Sequence, residues 1–123
     1  MDTLAFIESN KIITICRKVY GQDLENLAGA LVAGNVKLIE VTFDQQDPDC
    51  IKNTTKAIST LCEKYGDSMM FGAGTVLTKE QVKAAADAGA RYIISPNTDA
   101  EVITYTKELG LVSIPGAMTP SEI

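Results

Sequence analysis

The chain contains no histidine. Without imidazole there is no Ser-His-Asp route to an activated nucleophile, and a catalytic zinc site is not expected. Its three cysteines, Cys16, Cys50 and Cys62, are odd in number and match no zinc spacing. They read as reduced thiols of a cytoplasmic protein rather than a disulfide framework. Long hydrophobic runs are missing too: no stretch approaches the ~20 apolar residues of a membrane span. The first ten residues carry Asp2 and Glu8 with no basic segment, and do not read as a signal peptide. Positive charge is in short supply, with 11 Lys+Arg against 16 Asp+Glu and a net charge of −5, which argues against a nucleic-acid partner. There is also no Gly/Ser-rich or Pro-rich run. With 46% hydrophobic residues in a chain of 123, the expectation is a globular protein of at most one domain.

What is present centres on Lys37-Leu38-Ile39-Glu40-Val41-Thr42-Phe43. This is a run of aliphatic and β-branched residues, the composition of a buried strand. Side chains alternate along a strand, so Leu38, Glu40 and Thr42 share one face while Ile39, Val41 and Phe43 share the other. The second face is wholly apolar and suits packing under helices. The first holds a carboxylate, which is costly to bury unpaired. Glu40 is therefore either on an exposed edge or in a site that uses it.

The rest of the chain alternates. Residues 3–9 are consistent with a short helix anchored by Leu4 and Ile7, and Ile12–Cys16 reads as a strand. Leu24, Leu27, Ala28, Leu31 and Val32 form a helical stripe with Asp23 as its expected N-cap. Asp47-Pro48 has the pattern of an N-cap followed by an N1 proline, opening a helix that Gly66 stops. Met69-Met70-Phe71 leads into Gly72-Ala73-Gly74-Thr75-Val76, a strand whose top lacks side chains. Thr78-x-x-Gln81 and Thr98-x-x-Glu101 read as capping boxes on either side of the strand Arg91–Ile94. Leu111–Ile114 is a fifth strand, and Thr119-Pro120-Ser121-Glu122 reads as the opening of one more helix.

Strict alternation with short loops means parallel strands. An open doubly wound sheet and a (β/α)8 barrel compete. The turn Cys16–Gly21 lacks the glycine pattern of a dinucleotide-binding sheet, whereas polar or small residues end all five strands, where a barrel builds its active site. The expected fold is α/β: a partial (β/α)8 TIM barrel of about five parallel strands with intervening helices. The chain would then end at the start of the fifth barrel helix, with residues 1–123 as the N-terminal part of a single barrel domain.

At Leu38-Ile39-Glu40-Val41-Thr42, Gly72-Ala73-Gly74-Thr75-Val76-Leu77, Ile94-Ser95-Pro96 and Ile114-Pro115-Gly116 the chain resembles the KDPG/KHG aldolase family. Four motifs in order carry the likeness, over essentially the whole chain. The resemblance implies class I aldol cleavage of 2-keto-3-deoxy-6-phosphogluconate or 4-hydroxy-2-oxoglutarate to pyruvate and an aldehyde, as in Entner-Doudoroff carbohydrate metabolism. A lysine Schiff base serves as electron sink, with no cofactor or metal. It implies Glu40 as the proton-shuttling glutamate, and burial in a barrel lumen would raise its pKa for that task. It implies Thr75 as the threonine holding the pyruvate carboxylate, Gly72 and Gly74 as points of close backbone approach to the ligand, and Pro96 and Pro115 as rim prolines that shape the pocket. Many members carry an arginine just after the Glu-x-Thr strand, where this chain has Asp44. Arg17, at the end of the first strand, stands where another branch has a carboxylate-binding arginine. The run Asp44, Asp47, Asp49 reads as a solvated loop.

The Schiff-base lysine of the family belongs to a sixth strand, and this chain carries five. Lys18 alone among its lysines is expected near the catalytic rim. The resemblance also implies a homo-oligomer, a trimer in the complete protein, with a keto acid as small-molecule partner. Two other readings stay open: a non-catalytic half-barrel that binds or oligomerises, and a sugar-phosphate barrel enzyme such as an epimerase.

Overall fold

The computed structural model describes residues 2–123. In chain order the elements are α1 (Thr3–Asn10), β1 (Thr14–Cys16), α2 (Gly21–Ala33), β2 (Leu38–Thr42), α3 (Cys50–Tyr65), β3 (Met70–Gly74), α4 (Lys79–Ala88), β4 (Tyr92–Ser95), α5 (Ala100–Glu108) and β5 (Val112–Pro115). All strand pairs are parallel, and the spatial order is β1-β2-β3-β4-β5. That order decides between the two architectures. A doubly wound sheet reverses direction at a switch point, whereas here each new strand is added to the same edge, as in a barrel wall.

The register sorts side chains into two faces. Cys16, Val41, Ala73 and Ile93 align across the sheet, with Ile39 beside Phe71. These join Leu24 and Ala28 of α2, Ile58 and Leu61 of α3, Val82 and Ala85 of α4 and Val102 of α5 in one buried cluster. The helices therefore cover this face, which supplies most of the hydrophobic stabilisation. On the other face Ile15, Glu40, Gly72, Tyr92 and Val112 align. Leu38 and Tyr92 are fully buried there, while Ile15, on the edge strand, is 56% exposed.

Several local expectations shift. Strand β1 begins at Thr14 rather than Ile12, which is exposed. In α1 Leu4 is exposed, so it is no anchor, whereas Phe6 and Ile7 are half-buried. Helix α2 starts at Gly21, so Asp23 lies in its first turn, where a carboxylate faces the positive end of the helix dipole, and does not cap it. Asp47 caps a turn, not a helix: its carboxylate accepts from Asp49 N and Asn53 Nδ2, and α3 begins at Cys50. At α5 the cap is Asp99, whose carboxylate accepts from the Glu101 and Val102 amides, because Thr98 is engaged elsewhere, donating to Gly116 O at 2.6 Å. Residues 119–122 form a turn and no helix, with the Glu122 carboxylate accepting from Met118 N and Thr119 Oγ1. No helix among the described residues is long and apolar enough to cross a membrane.

Candidate active site at the C-terminal rim of the sheet

Strand β2 carries Glu40 one residue pair below its C-terminal end, and the side chain is only 6% exposed. The carboxylate lies over Gly74 of the neighbouring strand: a Cβ there would fall on Glu40 Oε2. Beneath it, the missing side chain of Gly72 is replaced by the ring of Tyr92, which lies where a Cβ would stand. Tyr92 is itself pinned, its hydroxyl donating to Ile39 O at 2.6 Å. The space beside each glycine is taken by a side chain: Gly74 admits the carboxylate and Gly72 admits an aromatic floor below it.

Burial pushes the Glu40 carboxyl above the usual carboxylate range, and the Arg17 guanidinium draws it partly back. The same burial, with the Glu40 charge beside it, pushes the Cys16 thiol up to about 11, so it stays protonated at neutral pH. Thr42, two residues beyond Glu40 on the same face, donates to Cys16 O at 3.4 Å.

At the C-terminal rim is an open concavity of about 300 Å³ lined by Arg17, Lys18, Thr42, Asp44, Gln45 and Thr75, among others; Glu40 and Tyr92 are not in its wall. Arg17 is exposed. Lys18 Nζ lies 3.9 Å from Asp44 Oδ2, so the acidic residue that replaces the expected arginine is faced by a cation from the first loop. Thr75 sits at φ 55°, the left-handed region. For a β-branched residue this costs about 1–3 kcal/mol and persists only where surroundings impose it. Two residues whose importance the sequence did not signal do so. Gln45 Nε2 donates to Thr75 O at 2.7 Å, and Gln81 Nε2 donates to Gln45 Oε1 at 2.8 Å. Gln81 was legible only as half of a capping box, and that box is offset. Thr78 Oγ1 accepts from Gln81 N, but Gln81 Oε1 accepts from Leu77 N, one residue before the cap.

The structure brings Arg17 and Thr75 together at one rim, with Glu40 buried under Arg17's charge. Pro96 is not part of this group. It is exposed at the end of β4, with its carbonyl against Gly116. Pro115 ends β5. Of the lysines, Lys37 precedes β2 at the opposite rim, and Lys52, Lys56, Lys64, Lys79, Lys83 and Lys107 lie on helices. Among the described residues no cluster of three or more His, Cys, Asp or Glu side chains could hold a metal ion.

The sequential parallel sheet, covered on one face by helices and bearing polar groups at its C-terminal rim, places the chain among the (β/α)-barrel proteins. Comparison with known proteins narrows this. The model of the family "KDPG and KHG aldolase" matches residues 4–123, and the chain belongs to that family. It is 34% identical over 111 residues to a probable 2-dehydro-3-deoxy-6-phosphogalactonate aldolase of Rhizobium meliloti, covering 90% of this chain and 50% of that protein. It superposes with a TM-score of 0.75, at 33% identity, on KDPG aldolase from Legionella pneumophila, a structure with pyruvate captured as a covalent carbinolamine intermediate. That match covers 89% of this chain and 50% of the other. A third likeness, to 2-keto-3-deoxy-6-phosphogluconate aldolase from Zymomonas mobilis, covers 100% of this chain and 56% of that one with a TM-score of 0.82. At 24% identity it speaks for the fold alone. The chain spans about half the length of the curated relatives it matches.

Proposed function

We propose that this chain carries the proton-transfer and keto-acid-binding rim of a class I aldolase. The reaction would be cleavage of 2-keto-3-deoxy-6-phosphogluconate, its galactonate counterpart or 4-hydroxy-2-oxoglutarate to pyruvate and an aldehyde. The observation that carries the reading is Glu40, a carboxylate buried on the lumen face of β2 and held above the usual carboxylate range. An acid that keeps its proton at higher pH than usual, yet still ionises, suits the successive proton transfers of carbinolamine formation and C–C cleavage. In this reading Glu40 is the general acid/base. Thr75 holds the pyruvate carboxylate, and Arg17 meets a carboxylate of the substrate with charge-assisted hydrogen bonds. Gly72 and Gly74 serve the site by making room for Tyr92 and Glu40, and Pro96 shapes the outer rim. A lysine outside these five strands forms the Schiff base. Residues 1–123 are then the N-terminal part of a single barrel domain, and the complete cytoplasmic protein is a homo-oligomer, a trimer by family resemblance.

The test is an intact-mass spectrum after incubation with pyruvate and borohydride. No adduct on these 123 residues, together with a stoichiometric one on a chain extended to the relatives' full length, supports the proposal. An adduct on the 123 residues would place the nucleophile among them, with Lys18 the first suspect, and overturn the division of roles. No adduct on either would favour an epimerase or a binding module.

A further inference from the structure

We propose that Gln45 and Gln81 are positioning residues whose paired amides hold Thr75 in its left-handed conformation and so fix where its side chain meets a 2-keto acid. The ligand part of this inference rests on the reading of Thr75 given above; the conformational part does not.

Between β3 and α4 the backbone leaves the sheet, and Thr75 must adopt φ 55°. The turn is gripped at both ends by side chains. Its entry is held through Thr75 O, which accepts from Gln45 Nε2 at 2.7 Å, and its exit through Leu77 N, which donates to Gln81 Oε1 at 2.9 Å. The two glutamines face each other, with Gln81 Nε2 donating to Gln45 Oε1 at 2.8 Å and Gln45 Nε2 within 3.3 Å of Gln81 Oε1. Each amide therefore uses its donor and its acceptor together. A carboxylate at either position would lose the donor, and an aliphatic side chain would lose both. Gln81 is 5% exposed and seated on the first turn of α4, its backbone N–H donating to Thr78 Oγ1 at 3.1 Å, so it is the fixed member. Gln45 is exposed and comes from the loop after β2, beside Asp44, which faces Lys18 of the loop after β1. The chain of contacts thus ties the first three rim loops into one unit around the concavity.

Gln45 also lines the concavity, so direct contact with the ligand is the competing role, and the experiment separates the two. In the isotope-labelled 123-residue chain, Gln45→Ala is compared with wild type by NMR. The expected result is a changed Thr75 backbone coupling, because Gln45→Ala removes the donor to Thr75 O, while the Leu77 amide, held by Gln81, keeps its protection. Buried strand amides such as Ala73 keep their protection. An unchanged Thr75 coupling would overturn the proposal. Pyruvate is then titrated into wild type, Gln45→Ala, Thr75→Ala and the double variant. Positioning predicts that Gln45→Ala weakens binding about five- to tenfold alone and has no further effect once Thr75 is alanine. Additive losses would make Gln45 a direct ligand contact and overturn the positioning role. If wild type shows no response to pyruvate, the reading of Thr75 as a ligand group fails, and the conformational role is decided by the Thr75 coupling alone. Gln81→Glu keeps the acceptor for Leu77 N and loses the donor to Gln45, so Leu77 protection should survive while the Thr75 coupling shifts.

Discussion

Replacing Glu40 by glutamine removes a charge with little change in volume, and the consequence for stability can be worked from its surroundings. The side chain is 6% exposed, burial raises its carboxyl pKa, and Arg17 only partly opposes the rise. The folded state therefore keeps this proton to a higher pH than the unfolded chain, in which a glutamate titrates near ~4.3. Between those two values folding takes up a proton, and stability falls as pH rises. The contribution of Glu40 is fully present below the unfolded value and is lost as pH climbs through the folded one. Each unit by which the folded pKa is raised costs about 1.4 kcal/mol above that window, and 1.4 kcal/mol corresponds to roughly 5 °C in Tm for a chain of this size. Glu40→Gln lacks this titration. Its stability should gain on wild type steadily from pH 4 upward and level off once the wild-type carboxyl is ionised. Urea denaturation of both chains from pH 4 to pH 8 at constant salt measures it, the difference cancelling the carboxylates they share. A difference independent of pH, or one that grows in favour of wild type, would mean that Glu40 is not held in a proton-retaining site.

Two further substitutions probe the same wall. Gly74→Ala sets a methyl group on Glu40 Oε2, with Thr42 Cγ2 also only 3.1 Å away, and should cost about 1–3 kcal/mol in urea denaturation at pH 8. Combining it with Glu40→Ala should recover most of that loss, and strictly additive effects would contradict the packing argument. Tyr92→Phe keeps the ring over Gly72 but removes the 2.6 Å hydrogen bond to Ile39 O, a loss of about 1–1.5 kcal/mol. A Tm equal to wild type would show that ring packing alone seats the floor of the site.

The sequence by itself determined the order of elements, the two faces of β2 and the anomaly of Glu40, because each is a local signal. Alternation of Leu38, Glu40 and Thr42 with Ile39, Val41 and Phe43 is visible in six residues, and the helix-facing cluster follows from it. Family membership was legible for the same reason, in four short motifs. The features that only the tertiary structure decided involve partners far apart in the chain. The local signals, a first turn without the dinucleotide glycines and polar or small residues ending all five strands, favoured the barrel, and the sequential strand order, itself a matter of long-range pairing, bears this out. A glycine in a sequence records only that a side chain is missing. Tyr92, twenty residues on, occupies the space at Gly72, and Glu40, thirty-four residues back, occupies the space at Gly74. Capping shifted where a tertiary hydrogen bond claimed the expected side chain, as when Gly116 O takes the Thr98 hydroxyl and leaves Asp99 to cap α5. The grip on Thr75 was invisible for the same reason: Gln45 and Gln81 are ordinary polar residues in sequence, and their amides meet only because parallel pairing sets the loop after β2 beside the loop after β3.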